Sequence, residues 1–215
     1  MKDKVSSKIV ESWLKGWCLS REVSFLLPYN SGFYVNVGDE KQKERFVFPE
    51  LNDDFFQHAH SIDDPWIYLK VSASPDEFIH RIPERWKLQP QGYMMTCFHP
   101  MNFAEMNLAE GYHLEFSEYN TTFVVRIVAE NGEQASIGRV SLIDDVAVYD
   151  RIITETNHQR KGLARFLLKE LEKIALYKGF SNNLLVATEE GKLLYETLGW
   201  KLYCLHTSVV IPSEG

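Results

Sequence analysis

Cysteine is scarce in this chain: three residues in 215, at Cys18, Cys97 and Cys204. They are widely spaced and odd in number, so the chain has neither a disulfide framework nor a zinc-ligand spacing, and a reducing compartment is expected. Long apolar runs are missing as well. No stretch approaches the roughly 18 residues of a membrane-crossing helix, and the opening MKDKVSSKIVESW lacks the apolar centre of a secretory signal. The expectation is a cytoplasmic protein with no membrane partner. Positive charge is in deficit. Lys and Arg number 23 against 30 Asp and Glu, giving a formal net charge of −7, which argues against nucleic acid as the main partner. No repeat or low-complexity tract is evident. Hydrophobic residues make up 45% of the chain and aromatics 13%. That is ample for a core, in one large domain or two small ones.

Against this acidic background one stretch is basic. His158, Arg160, Lys161 and Arg165 cluster with no acid between Asn157 and Leu168. Before the cluster, residues 146–154 are rich in β-formers and read as a strand. After it, Leu163, Phe166, Leu167, Leu171, Ile174 and Ala175 form one stripe of a helix, and Lys178-Gly179 ends it. The start of a helix exposes unpaired N–H groups and a partial positive charge, which together make an anion site. Gly162 lets a ligand approach the main chain, and Ala164 keeps the first turn narrow. A diphosphate fits such a place.

The sequence Gln159-Arg160-Lys161-Gly162-Leu163-Ala164, set between strand and helix, resembles the pyrophosphate loop of the GNAT acetyltransferase superfamily. Residues 184–188 resemble that family's next strand. Leu194-Tyr195-Glu196-Thr197-Leu198-Gly199-Trp200 resembles its tyrosine helix. The likeness covers about residues 111–211, half of the chain. It implies an α/β (α+β) fold, with a GNAT-like mixed, mostly antiparallel twisted sheet and flanking helices. The two strands around the loop helix would splay to admit a pantetheine arm. It implies acetyl-CoA as co-substrate and direct acetyl transfer to an amine. By resemblance, Gln159, Arg160, Lys161, Gly162, Leu163 and Ala164 hold the diphosphate, and Ile152, Ile153 and Thr154 bond the pantetheine. Thr188 stands where relatives often carry asparagine. Tyr195 matches the tyrosine that protonates the departing thiolate. For the base, Asp150, Glu155 and a water chain remain open. No metal is implied.

The rest of the sequence supplies context. Tyr112–Phe116, Phe123–Ala129, Ser136–Ile143 and Val146–Thr154 read as antiparallel strands, with Asn131-Gly132 and Asp144-Asp145 as tight turns. GNAT domains usually place two helices after the first strand, whereas here residues 117–122 allow only a turn. Residues 1–105 are then the supply for the acceptor wall, which implies a cleft between the halves. The division is 1–108, an α+β half that could be a decayed copy of the same fold, and 109–215, the GNAT domain. In the first half, residues 3–18 read as an amphipathic helix with Asp3 as a cap. Short strands are expected at Val23–Leu27, Gly32–Val37, Arg45–Phe48 and Trp66–Val71, and a helix from Ser74. His58 and His60 would share one side of a strand, without a third ligand of diagnostic spacing. Three readings of function follow: a GNAT N-acyltransferase, an acyl-CoA sensor without turnover, or an interaction protein on a worn fold. A homodimer is a possible state.

Overall fold

The computed structural model describes residues 5–213. Its first half contains α1 (Ser7–Arg21), β1 (Leu27–Tyr29), β2 (Gly32–Asp39), β3 (Gln42–Phe48), α2 (Asp53–Ser61), β4 (Ile67–Val71), β5 (Lys87–Leu88) and β6 (Gly92–Cys97). Then come β7 (Tyr112–Tyr119), β8 (Thr122–Ala129), β9 (Gln134–Ile143), β10 (Val146–Thr154), α3 (Leu163–Tyr177), β11 (Asn182–Ala187), α4 (Glu189–Thr197) and β12 (Lys201–Val210). The strands form one mixed, mostly antiparallel sheet in the order β1-β2-β3-β4-β12-β6-β11-β10-β9-β8-β7, with β5 on β12. This is the expected fold class.

The sheet runs through both halves of the chain. β6 lies between β11 and β12 and is antiparallel to both. The first part of β12 pairs with β6 and its last four residues pair with β4. Two parallel β-α-β crossovers result, β3-α2-β4 and β10-α3-β11. The hairpin turns form where the sequence puts small polar residues, with Asn120, Gly132 and Asp144 at positive φ.

Helices cover the two faces unequally. On one face α3 buries Leu163, Leu167, Leu168, Leu171 and Ala175 against Val125, Val140, Tyr149 and Leu185. Each such side chain is worth about 1.5–3 kcal/mol when removed from water. α2 makes a second cluster, in which Phe55 and Ala59 meet Phe48, Leu69 and Val209. On the opposite face α1 lays Val10, Trp13, Leu14 and Trp17 over Val146, Val148 and Leu184. Gly16 allows that approach, because a Cβ there would lie 2.4 Å from the Val148 side chain.

Several expectations are corrected. His58 and His60 stand on α2, where residues two apart point to different sides. His58 is buried and meets the Tyr29 hydroxyl at 2.9 Å, whereas His60 is exposed. The signal for a helix was Asn52, whose side chain caps it by accepting from Phe55 N at 3.1 Å. The segment after Ser74 forms two 3₁₀ turns, Pro75–Glu77 and Ile79–Arg81. The expected strand at Val23–Leu27 begins only at Leu27. α1 starts at Ser7, and the proposed Asp3 cap lies outside the described residues. Among the described residues no helix is long and apolar enough to cross a membrane, and no cluster of three or more metal-ligating side chains occurs.

Candidate functional site

β10 and β11 lie parallel for only three residue pairs, from Val146↔Asn182 to Val148↔Leu184. Beyond them β10 continues to Thr154 and β11 to Ala187 without pairing to each other. The parting begins at a bulge. The register between β10 and β9 shifts between Asp150 and Ile153, and Arg151 takes φ +52°. A non-glycine residue in this left-handed region is strained, and such strain collects where a strand must be re-aimed. Bulge and splay leave main-chain groups of both strands open to a ligand.

A cavity of about 630 Å³ occupies the gap. Ile152, Ile153, Thr154, Gln159, Arg160, Gly162, Leu163, Ala164, Thr188 and Tyr195 all line it. Ile153 and Leu193 present apolar surface there, 48% and 64% exposed, which suits the hydrocarbon part of a long arm. At one end sits the start of α3. Gly162 is its N-cap with φ +78°, no side chain caps it, and no acid occupies the first turn. A Cβ on Gly162 would meet nothing within 4 Å, so the approach to these amides is open. The cavity side of this turn also carries His158, Arg160 and Arg165. Amides and cations facing an open volume suit a diphosphate.

Lys161 departs from the expected set. It is absent from the cavity wall, and its Nζ donates to the Tyr112 hydroxyl at 2.9 Å. Thr188 lines the cavity but uses its hydroxyl to cap α4, accepting from Gly191 N at 3.1 Å. Gln159 donates to the Thr154 carbonyl across a long 3.4 Å.

Tyr195 is the one buried residue of α4, 7% exposed, with its ring against Trp200. Burial, reinforced by the charge of Asp150, pushes its hydroxyl pKa well up, so the phenol stays protonated. The two candidate bases differ in setting. Glu155 is exposed and does not line the cavity. Asp150 points to the α1 side, where Ser20 Oγ donates to it at 2.5 Å and Arg21 donates through Nε at 2.9 Å and Nη2 at 3.1 Å. Burial alone would raise the Asp150 pKa, but Arg21 and Ser20 outweigh it and hold the carboxyl below its usual value. A carboxylate so satisfied accepts a proton poorly at neutral pH.

The α1 side also holds residues without a sequence signal. Arg45, 6% exposed, lies 3.6 Å from the centroid of the Trp17 ring, and Arg21 lies 4.7 Å from the same ring. The Gln42 side-chain oxygen accepts from Arg45 Nε at 3.0 Å and Nη2 at 2.8 Å when its amide is oriented to fit. No local pattern announces this group, because its members come from α1, β3 and β10.

Comparison with known proteins agrees with this geometry. Residues 120–202 match the family described as acetyltransferase (GNAT) domain. No curated protein sequence matches the chain. Among solved structures, a GCN5-related N-acetyltransferase from Kribbella flavida is similar over 99% of this chain and 97% of its own, with TM-score 0.68 and 14% identity. One from Sphaerobacter thermophilus is similar over 86% and 78%, with TM-score 0.59 and 10% identity. A tandem GNAT protein from the clavulanic acid biosynthesis pathway is similar over 69% and 65%, with TM-score 0.51 and 11% identity. These identities speak to the fold, and the family match to the part that holds the loop. Residues 120–202, which hold the loop, are thus similar to the acetyltransferase (GNAT) domain family, and the chain shares its fold with the GNAT structures above.

Proposed function

We propose that this protein is an N-acetyltransferase that moves the acetyl group of acetyl-CoA directly to an amine. The observation that carries the reading is one cavity whose wall includes the end of β10, the uncapped start of α3 and the buried Tyr195. The diphosphate lies on the amides from Gly162 to Ala164, with Arg160 and Gln159 beside it. The pantetheine runs along Ile152, Ile153 and Thr154, whose main chain polarises the thioester carbonyl. Preorganised N–H donors aimed at the developing oxyanion are usually the largest catalytic contribution. The acceptor nitrogen attacks the carbonyl carbon, the C–S bond breaks, and Tyr195 gives its proton to the departing thiolate. The acceptor's own proton leaves through water in preference to Asp150 or Glu155, because the first is held by Arg21 and the second stands outside the cavity.

The first half reads as a GNAT-like half without a coenzyme site. Its β3-α2-β4 crossover repeats β10-α3-β11 in kind. The start of α2, however, is capped by Asn52 and carries Asp53 and Asp54, which repel a diphosphate. The tandem GNAT relative supports this reading. Cytoplasmic residence remains the expectation for the whole chain.

Thiol release from acetyl-CoA over a panel of amines tests the reading, with coenzyme binding followed by calorimetry. Tyr195→Phe is expected to lower kcat by about 10²–10⁴-fold, the range for general acids, with the acetyl-CoA Kd nearly unchanged. Saturable binding without release for any amine would favour an acyl-CoA sensor. Absence of binding would leave an interaction protein.

A further inference from the structure

The β10 bulge separates two cavities. Ile152, Ile153 and Thr154 line the one already described, while Arg151, one position earlier, lines a second of about 420 Å³. Trp17 and Arg21 from the end of α1, with Val37 and Gln42 from the β2–β3 hairpin, form most of its other walls. Behind Trp17 and Gln42 stands Arg45, stacked on the one and bonded to the other.

The charge around this cavity is unbalanced toward the interior. Among the described residues Arg45 has no carboxylate within ion-pair distance, and its charge rests on an indole face and one amide oxygen. Lys70 on β4 has the Ser208 hydroxyl as its hydrogen-bond partner and likewise no carboxylate. His206 is 2% exposed, packs against Trp13 and has neither ring nitrogen bonded. Burial, then the neighbouring Lys70 and Arg45, keep His206 neutral. Asp150 is already taken by Arg21 and Ser20. Glu22 and Asp39 also line the cavity, but both are exposed. A buried guanidinium without an anion is unfavourable unless a ligand brings one.

We propose that the second cavity receives the acceptor, and that the acceptor is an amine bearing a carboxylate, of the amino-acid class. Its anionic end lies against Arg21 and Arg151, with Arg45 behind the wall formed by Trp17 and Gln42, and its nitrogen faces the bulge from the side opposite the coenzyme. This rests on the acyltransferase reading above. Of these cations Arg21 and Arg151 line the cavity and Arg45 stands behind its wall, so an anion placed there faces two guanidinium groups and lies near the third. A planar carboxylate also matches the guanidinium fork.

The test uses the full chain and acetyl-CoA with matched amines: amino acids, their amides and methyl esters, and aminophosphonates of equal length. Amino acids are expected to exceed their amides and esters in kcat/KM by about tenfold to a hundredfold, the span of a charge-assisted hydrogen bond in a desolvated site. Arg151→Ala, at an exposed position, should raise KM for amino acids about tenfold more than it raises KM for their amides, whatever it does to the acetyl-CoA Kd. Equal or better use of the neutral amines overturns the proposal and leaves the acyltransferase reading standing, as does a preference for aminophosphonates. No thiol release with any amine, while acetyl-CoA binds, overturns both.

Discussion

Asp150 is a carboxylate with two roles open to it, and its surroundings decide between them. On strand parity alone it could face a reacting amine. Bound by Arg21 and Ser20, it instead fixes the end of α1 to β10. Because its folded pKa is depressed, the stability it contributes is fully present above the unfolded value of about 3.9. That stability is lost as pH falls through the lower folded value. Urea midpoints measured through the acid range should fall there in the native chain, and that part of the fall should be absent in Asp150→Asn. The substitution itself leaves the half-buried Arg21 without its anion and should cost about 1–3 kcal/mol at neutral pH. Sequence pattern could not supply this pairing, since Arg21 and Asp150 are 129 positions apart. It could not show that Lys161 turns to Tyr112 either, because a side chain's direction within a loop is set by neighbours from another strand.

The element that carries the coenzyme reading is the turn into α3, which was also the most legible part of the chain. A basic loop, a glycine and an apolar stripe are local features, so they survive without knowledge of the fold. Gly162→Val tests the turn. It places a β-branched residue at φ +78°, a conformation that costs about 1–2 kcal/mol for a residue with a Cβ, and its side chain shades the open amides. The melting temperature should drop by several degrees, while acetyl-CoA affinity falls by far more than that loss accounts for. Leu171→Ala, on the same helix but in the core, should do the reverse: about 2–5 kcal/mol less stable, with unchanged coenzyme Kd per folded molecule. α2 shows where local reading failed. Nine residues give too few periods to separate helix from strand, and the deciding feature was the Asn52 cap.

At the scale of the molecule the two halves are built from each other. α1 covers β10 and β11, and β6 completes the second half's part of the sheet. A fragment of residues 109–215 alone should therefore leave Val146, Val148 and Leu184 uncovered. It is expected to give poorly dispersed amide spectra and a non-cooperative urea transition, whereas the full chain unfolds cooperatively. Such interleaving has no signature in sequence, because strand order depends on pairings between distant segments. The placement of β6 also matters before the protein is finished. Its neighbours, β11 and β12, are encoded more than 80 positions downstream of Cys97. At ribosomal speeds of about 5–20 residues per second, β6 emerges with both margins bare and waits on the order of ten seconds for either. During that interval the nascent polypeptide offers sticky ribbon to any passing chain, so its yield in the cell should respond to holdase supply and to translation rate.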